Sequence, residues 1–300
     1  PSANSSARRH SFLLSSQQLR HCHQNAIDGL DKPWEQHYTY GKSDRFEVIA
    51  DGDGIKGTDN EDRVGPKRAI QSGVISPQAM KRAIIITSGL TLISAVILIY
   101  YAFRGTNLVY SVFYLVLGIL AIASAIRYTV GNSAYGYRGF GDVFVFVFFG
   151  LVSTLGVNFL YSKQLDLILF LPATAIGFLS VAVLNLNNMR DEVSDKKSGK
   201  NTLVVKMGAA NAKKYHYFLI VGAMVLILVF AVLSDFHFDQ YLFLIAYIPL
   251  SKHLINVYKN KNPRLLDPEL KKVALSTFAL SVLLALCMIF FFSDLFVNNY

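Results

Sequence analysis

Seven stretches of the chain run about twenty residues each with almost no charged side chain, near 83–103, 107–126, 142–161, 167–186, 215–234, 239–258 and 273–292. A helical bilayer span needs about 20 apolar residues, and helices satisfy their own backbone groups in hydrocarbon. The pattern predicts an all-α membrane protein, a multi-span helical bundle with seven recognisable spans. The sixth is marginal, because Lys252, His253 and Lys259 lie in or beside its second half. Pro172 and Gly177 in the fourth and Pro249 in the sixth predict kinks. Composition excludes an ordinary soluble domain: 16% of the 300 residues are charged and 53% are hydrophobic, where soluble domains carry about a quarter charged residues. Two cysteines, Cys22 and Cys287, build neither a disulfide framework nor a four-cysteine zinc site.

The net charge of +9 raises the question of nucleic acid, but the basic residues follow the spans instead. They crowd before the first span, between the second and third, between the fourth and fifth, and between the sixth and seventh. The opposite connections hold only Arg104 and Lys163. By the positive-inside rule the crowded loops are cytoplasmic, and no nucleic-acid partner is expected. Residues 1–51 differ in kind, being polar, without a span and without a signal-peptide apolar core. They are expected to be disordered or aberrant, with the membrane domain over 52–300. His21, Cys22 and His23 stand side by side and cannot all face one ion on regular structure.

The chemistry-bearing residues gather on the side read as cytoplasmic. In VLNLNNMRDEVSDKKSGKNTLVVKMG, Asn187, Asp191 and Asp195 sit at i, i+4 and i+8. On a continuing helix they share one face, where carboxylates at i, i+4 repel by about 0.2–0.5 kcal/mol. A divalent cation such as Mg²⁺, held by carboxylates together with substrate phosphates, offsets that repulsion. A solvated loop in which Asp recurs at four is the plainer alternative. In DGDGIKGTDNEDRVGPKRAIQSG, Asp51, Asp53, Asp59, Glu61 and Asp62 alternate with Lys56, Arg63, Lys67 and Arg68. Acids of this kind hold a metal, while Arg and Lys grip phosphate oxygens. A calcium loop starting at Asp51 would need Glu at its twelfth position and has Asp62. In RYTVGNSAYGYRGFGD, Tyr135, Tyr137 and Phe140 line either an aromatic pocket or an interfacial belt, with Arg138 suited to an anion.

Three segments together, Gly52–Ser76, Tyr135–Gly150 and Asn187–Gly208, resemble the UbiA-type intramembrane prenyltransferases, in particular those acting in menaquinone synthesis. The resemblance covers about residues 52–300. It implies a bundle of nine spans whose two Asp-rich motifs face each other at a cytoplasmic mouth. There Mg²⁺ binds the diphosphate of a polyprenyl donor, and an aromatic acceptor, 1,4-dihydroxy-2-naphthoate, takes the prenyl group with loss of CO2 and pyrophosphate. By position, Asp53, Asp191 and Asp195 are implied as catalytic metal ligands, with Asn187 in the second motif. Arg63, Lys67, Arg68 and Lys200 are implied for the diphosphate, and Arg138 and Asp142 for the acceptor. Partners are then the two substrates and membrane lipid, in the cell inner membrane. The first motif departs from the family's Asn-Asp-Tyr-x-Asp, reading Val48-Ile49-Ala50-Asp51-Gly52-Asp53. The change at Gly52 leads to the expectation that residues 1–51 derive from a wrong reading frame or a damaged gene. A polytopic transporter and a catalytically impaired remnant are the competing readings.

Overall fold

Helix α1, Pro77–Phe103, begins six residues before its apolar run because Ser76 caps it. The Ser76 hydroxyl accepts from the Ala79 N–H at 3.2 Å, and Pro77 supplies a preset first-turn residue that needs no donor. The structure, a computed structural model, describes residues 73–105, 108–129, 134–197 and 199–297. Asp53, Arg63, Lys67, Arg68 and the segment 1–51 lie outside the described residues. After α1 come α2, Leu108–Thr129, and a short 3₁₀ turn, Tyr135–Arg138. Helix α3 spans Gly141–Ser162, α4 Phe170–Lys197, α5 Leu203–Leu233, α6 Tyr247–Lys259 and α7 Asp267–Val297. No strand occurs among the described residues.

Six of these helices are long and apolar enough to cross a membrane. The sixth expected span is corrected. Its residues form a 3₁₀ segment, Phe238–Ala246, followed by the 13-residue α6. Pro249 explains where the switch falls, since it occupies the first turn of α6 and its missing N–H is not required there. The path still runs back along α5: Tyr217 donates to the Leu254 carbonyl at 2.5 Å, and Lys213 to that of Asn260. Of the polar residues that weakened this stretch, Lys252 and Lys259 are exposed and His253 has partners. His253 is wholly buried and lies 2.6 Å from Glu269 through Nδ1 and 2.7 Å from His216 through Nε2. Asn256 and Lys272 complete the Glu269 carboxylate at 2.8 and 2.5 Å.

Pro172 does not kink the fourth span either. It sits in the first turn of α4, which runs unbroken to Lys197. Gly177 serves packing instead. A Cβ on Gly150 would lie 2.5 Å from the Gly177 Cα, so α3 and α4 touch backbone to backbone. Around that contact α3 widens into a π-helix, Phe146–Gly156, a form that is rare beyond single turns. The interior lies among α4, α5, α7 and Phe238–Ala246, where Leu179, Leu186, Ile220, Phe230, Phe243 and Leu280 are buried. Lipid gives apolar side chains little drive to bury, so close packing through small residues and interhelical hydrogen bonds holds such helices. Buried Ala173, Ala175 and Ala182 on α4 and Ala212, Ala223 and Ala231 on α5 fit that requirement.

Candidate functional site

The end of the bundle where α4 stops and α5 and α7 start carries the described candidates. Helix α4 is continuous through Asn187, Asp191 and Asp195. It extends beyond its apolar run because buried Arg190 sits inside the helix, although its charge alone reads as part of a loop. Its guanidinium forks onto Asp191, with Nε at 2.8 Å from Oδ1 and Nη2 at 2.7 Å from Oδ2. Nη2 also donates to Asn187 Oδ1 at 2.8 Å, and Nη1 to Asp267 Oδ1 at 2.5 Å. Planar bidentate pairing of this kind is the strong form of the ion pair, and a lysine would not reproduce it. Arg190 therefore gathers Asn187 and Asp191 and ties them to the first turn of α7. Asp195, a turn further on, is buried and pairs with Lys200 at 3.4 Å.

Arg138 and Lys200 come from distant segments to one wall. The Asn201 N–H donates to the Tyr137 carbonyl at 2.9 Å, and Lys206 Nζ to that of Arg138 at 2.5 Å. The Lys200 ammonium lies 5.4 Å from the Tyr137 ring centre, within cation–π range. Gly139 closes the turn with φ of 82°, a left-handed conformation that a glycine adopts without strain. Tyr135 stacks on Phe144 at 3.8 Å, donates to the Ser124 carbonyl, and has its phenol raised above the ordinary value by burial. Tyr135 is thus anchored in the bundle, whereas Phe140 is exposed. Asp142 is buried in the first turn of α3, and the Tyr215 phenol of α5 lies near it.

The oxygen set on α4, two carboxylates and an amide, suits a hard divalent cation. In this structure the Arg190 guanidinium takes both Asp191 oxygens and Asn187 Oδ1, so a cation bound through them would displace it. Among the described residues no three acids, histidines or cysteines converge as a metal group. Sequence reasoning missed Arg190 as an organiser, and missed Asp267 and Tyr215 altogether. Arg190 adjoins Asp191 in sequence, where helical spacing predicts no shared face, and Asp267 lies 77 residues beyond Arg190.

Comparison with known proteins gives a consistent result. Residues 55–272 match the family described as the UbiA prenyltransferase family. A protein of Escherichia coli (strain K12) named 1,4-dihydroxy-2-naphthoate octaprenyltransferase is 45% identical over 221 residues, 74% of this chain and 71% of that protein. The same name belongs to a Haemophilus influenzae protein that is 40% identical over 78% of this chain and 76% of its own length. A Mycobacterium tuberculosis protein so named is 36% identical over 58% of this chain and 56% of its own. No solved structure matches.

Proposed function

The chain belongs to the UbiA prenyltransferase family, and from that premise we propose that it transfers a polyprenyl group to 1,4-dihydroxy-2-naphthoate in menaquinone synthesis. It is a multi-pass membrane transferase. The observation that carries the reading is the α4 end, where Asn187 and Asp191 are organised by Arg190 and Asp195 lies beside Lys200. Such an end suits a diphosphate drawn toward oxygen-bound metal and fixed cations.

Asn187, Asp191 and Asp195 would hold the divalent cation, proposed as Mg²⁺, with Asp53 contributing from the first motif. When bound, such an ion neutralises diphosphate charge and favours departure of pyrophosphate. Lys200, with Arg63, Lys67 and Arg68, grips the phosphate oxygens. The allylic C–O bond breaks and pyrophosphate leaves with the electron pair. The electron-rich ring carbon then forms the new C–C bond, and loss of CO2 restores aromaticity, giving demethylmenaquinol. Arg138 and Asp142 orient the acceptor. The mouth is assigned to the cytoplasmic face of the inner membrane because the basic connections gather at that end. Residues 52–300 form the transferase domain.

Family membership gives the transporter alternative no support. The impaired-remnant alternative turns on the surroundings of Asp53, outside the described residues. The purified full chain in lipid, supplied with Mg²⁺, a polyprenyl diphosphate and 1,4-dihydroxy-2-naphthoate, is expected to release CO2 and pyrophosphate and to stop on chelation by EDTA. Absence of prenylated product with all components present overturns the reading.

A further inference from the structure

One side chain holds two of the three proposed metal ligands on α4. The Arg190 guanidinium lies 2.8 and 2.7 Å from the two Asp191 carboxylate oxygens and 2.8 Å from Asn187 Oδ1. Its remaining nitrogen, Nη1, reaches Asp267 Oδ1 at 2.5 Å, on the first residue of α7. Adjacent helical positions do not share a face, so the fork onto Asp191 is made by the reach of the arginine side chain and not by helical spacing. The third proposed ligand, Asp195, also faces a fixed cation, Lys200 at 3.4 Å.

The two ends of this clamp differ. The Arg190 and Asp191 side chains are 5% and 17% exposed, while that of Asp267 is 45% exposed. A buried guanidinium stripped of every carboxylate is costly. Arg190 avoids that cost, because it can give up Asp191 and stay paired with Asp267. A hard divalent cation and a guanidinium seek the same carboxylate oxygens, so on Asp191 they exclude each other.

We propose that Arg190 is an exchangeable counter-cation for the α4 metal motif: it holds Asp191 and Asn187 in the metal-free enzyme and yields them to the divalent cation by withdrawing onto Asp267. This rests on the prenyltransferase reading above. The exchange puts a doubly charged ion on oxygens that one guanidinium held, and it strands neither Asp191 nor Arg190 without an opposite charge. Arg190 thereby sets a threshold against metal alone. A diphosphate beside the motif adds anionic charge, which favours the divalent ion over the singly charged guanidinium. Arg190 is a positioning residue in this scheme, acting through the ligands it releases.

The test is Arg190→Lys in the full-length chain reconstituted in lipid, with Mn²⁺ as the probe and its electron paramagnetic resonance signal as the readout. Lysine keeps the charge but cannot fork onto a carboxylate. The binding counted is that which Asp191→Ala removes. Without any diphosphate, Mn²⁺ is expected to bind Arg190→Lys about tenfold more tightly than wild type, the size of one charge-assisted hydrogen bond. A clamp that only ties α4 to α7 predicts weaker binding or none of this gain. An unchanged or weaker affinity therefore overturns the proposal, as does absence of Mn²⁺ binding in both proteins. Should Arg190→Lys fail to fold, Asp267→Asn decides, with Glu192→Gln as control. Each removes one carboxylate charge near Asp191, but Asp267 is the one that takes Arg190 Nη1. With its landing carboxylate gone, Arg190 is expected to hold Asp191 harder, and Mn²⁺ to bind about fivefold more weakly than in the control. A loss no larger than the control's overturns the exchange. Wild-type turnover separates the two failures. Without wild-type transfer the prenyltransferase reading falls; with it, an unchanged Mn²⁺ affinity sinks only the exchange.

Discussion

Helices α1 and α2 are as apolar as α4 and α5, yet their most apolar 18-residue windows are 0% buried in the bundle, against 39% for each of the other two. The difference teaches that apolar content decides what enters a membrane but not where a bundle closes. What separates the pairs is polar and small. Helices α4 and α5 bury Asn185, Asn188, Arg190, Asp195 and His216 beside a run of alanines, whereas α1 and α2 bury no polar side chain. In hydrocarbon an unmet polar group is costly, so these residues draw helices together and fix their register. The packed pair is therefore also the pair that carries the site.

Four substitutions break or sharpen that contrast. The largest effect is expected at the acidic end, where Asp191→Ala should lower turnover by about 10³-fold, equal to roughly 4 kcal/mol of transition-state stabilisation. Unchanged turnover in the reconstituted assay would remove Asp191 from the metal set. Next is the core network. His253→Ala should lower stability by about 2–3 kcal/mol, because His216 Nε2 and Glu269 Oε2 both lose their partner. Thermal unfolding in detergent measures it. Third, Gly150→Ala should cost about 1–3 kcal/mol, as the new Cβ meets backbone that cannot rotate away. A neutral result there would mean that α3 and α4 are not in backbone contact. The smallest effect belongs to the unpacked pair. Ile97→Ala on α1, half-exposed in the bundle, should change stability by less than about 0.5 kcal/mol. A larger loss would show that this face is covered by protein, and the contrast between the pairs would fail.

How much of this was legible beforehand follows the same physics. Hydropathy located six stretches long and apolar enough to span, but not their ends, and took the sixth of its seven for a span that the structure does not show. Helix α5 begins at Leu203, well before the apolar run near 215, because Thr202 caps a first turn that breaks at Gly208, φ 77°, before the helix resumes. The 3₁₀ start of the sixth stretch and the π-helix in α3 were invisible, since both depend on neighbouring backbones and not on local pattern. At the site, the spacing of Asn187, Asp191 and Asp195 was readable on one helix. Asn185 and Asn188, beside Asn187 inside the same helix, carried no reading of their own. The link from Arg190 to Asp267 joins residues far apart in the chain, so no window could contain it.

The Arg190 clamp also sets the charge that this end of the bundle carries. Asp191 and Asp267 with Arg190 between them carry one net negative charge rather than two. Loss of the Arg190 side chain would leave those two carboxylates without the guanidinium that ties the end of α4 to the first turn of α7.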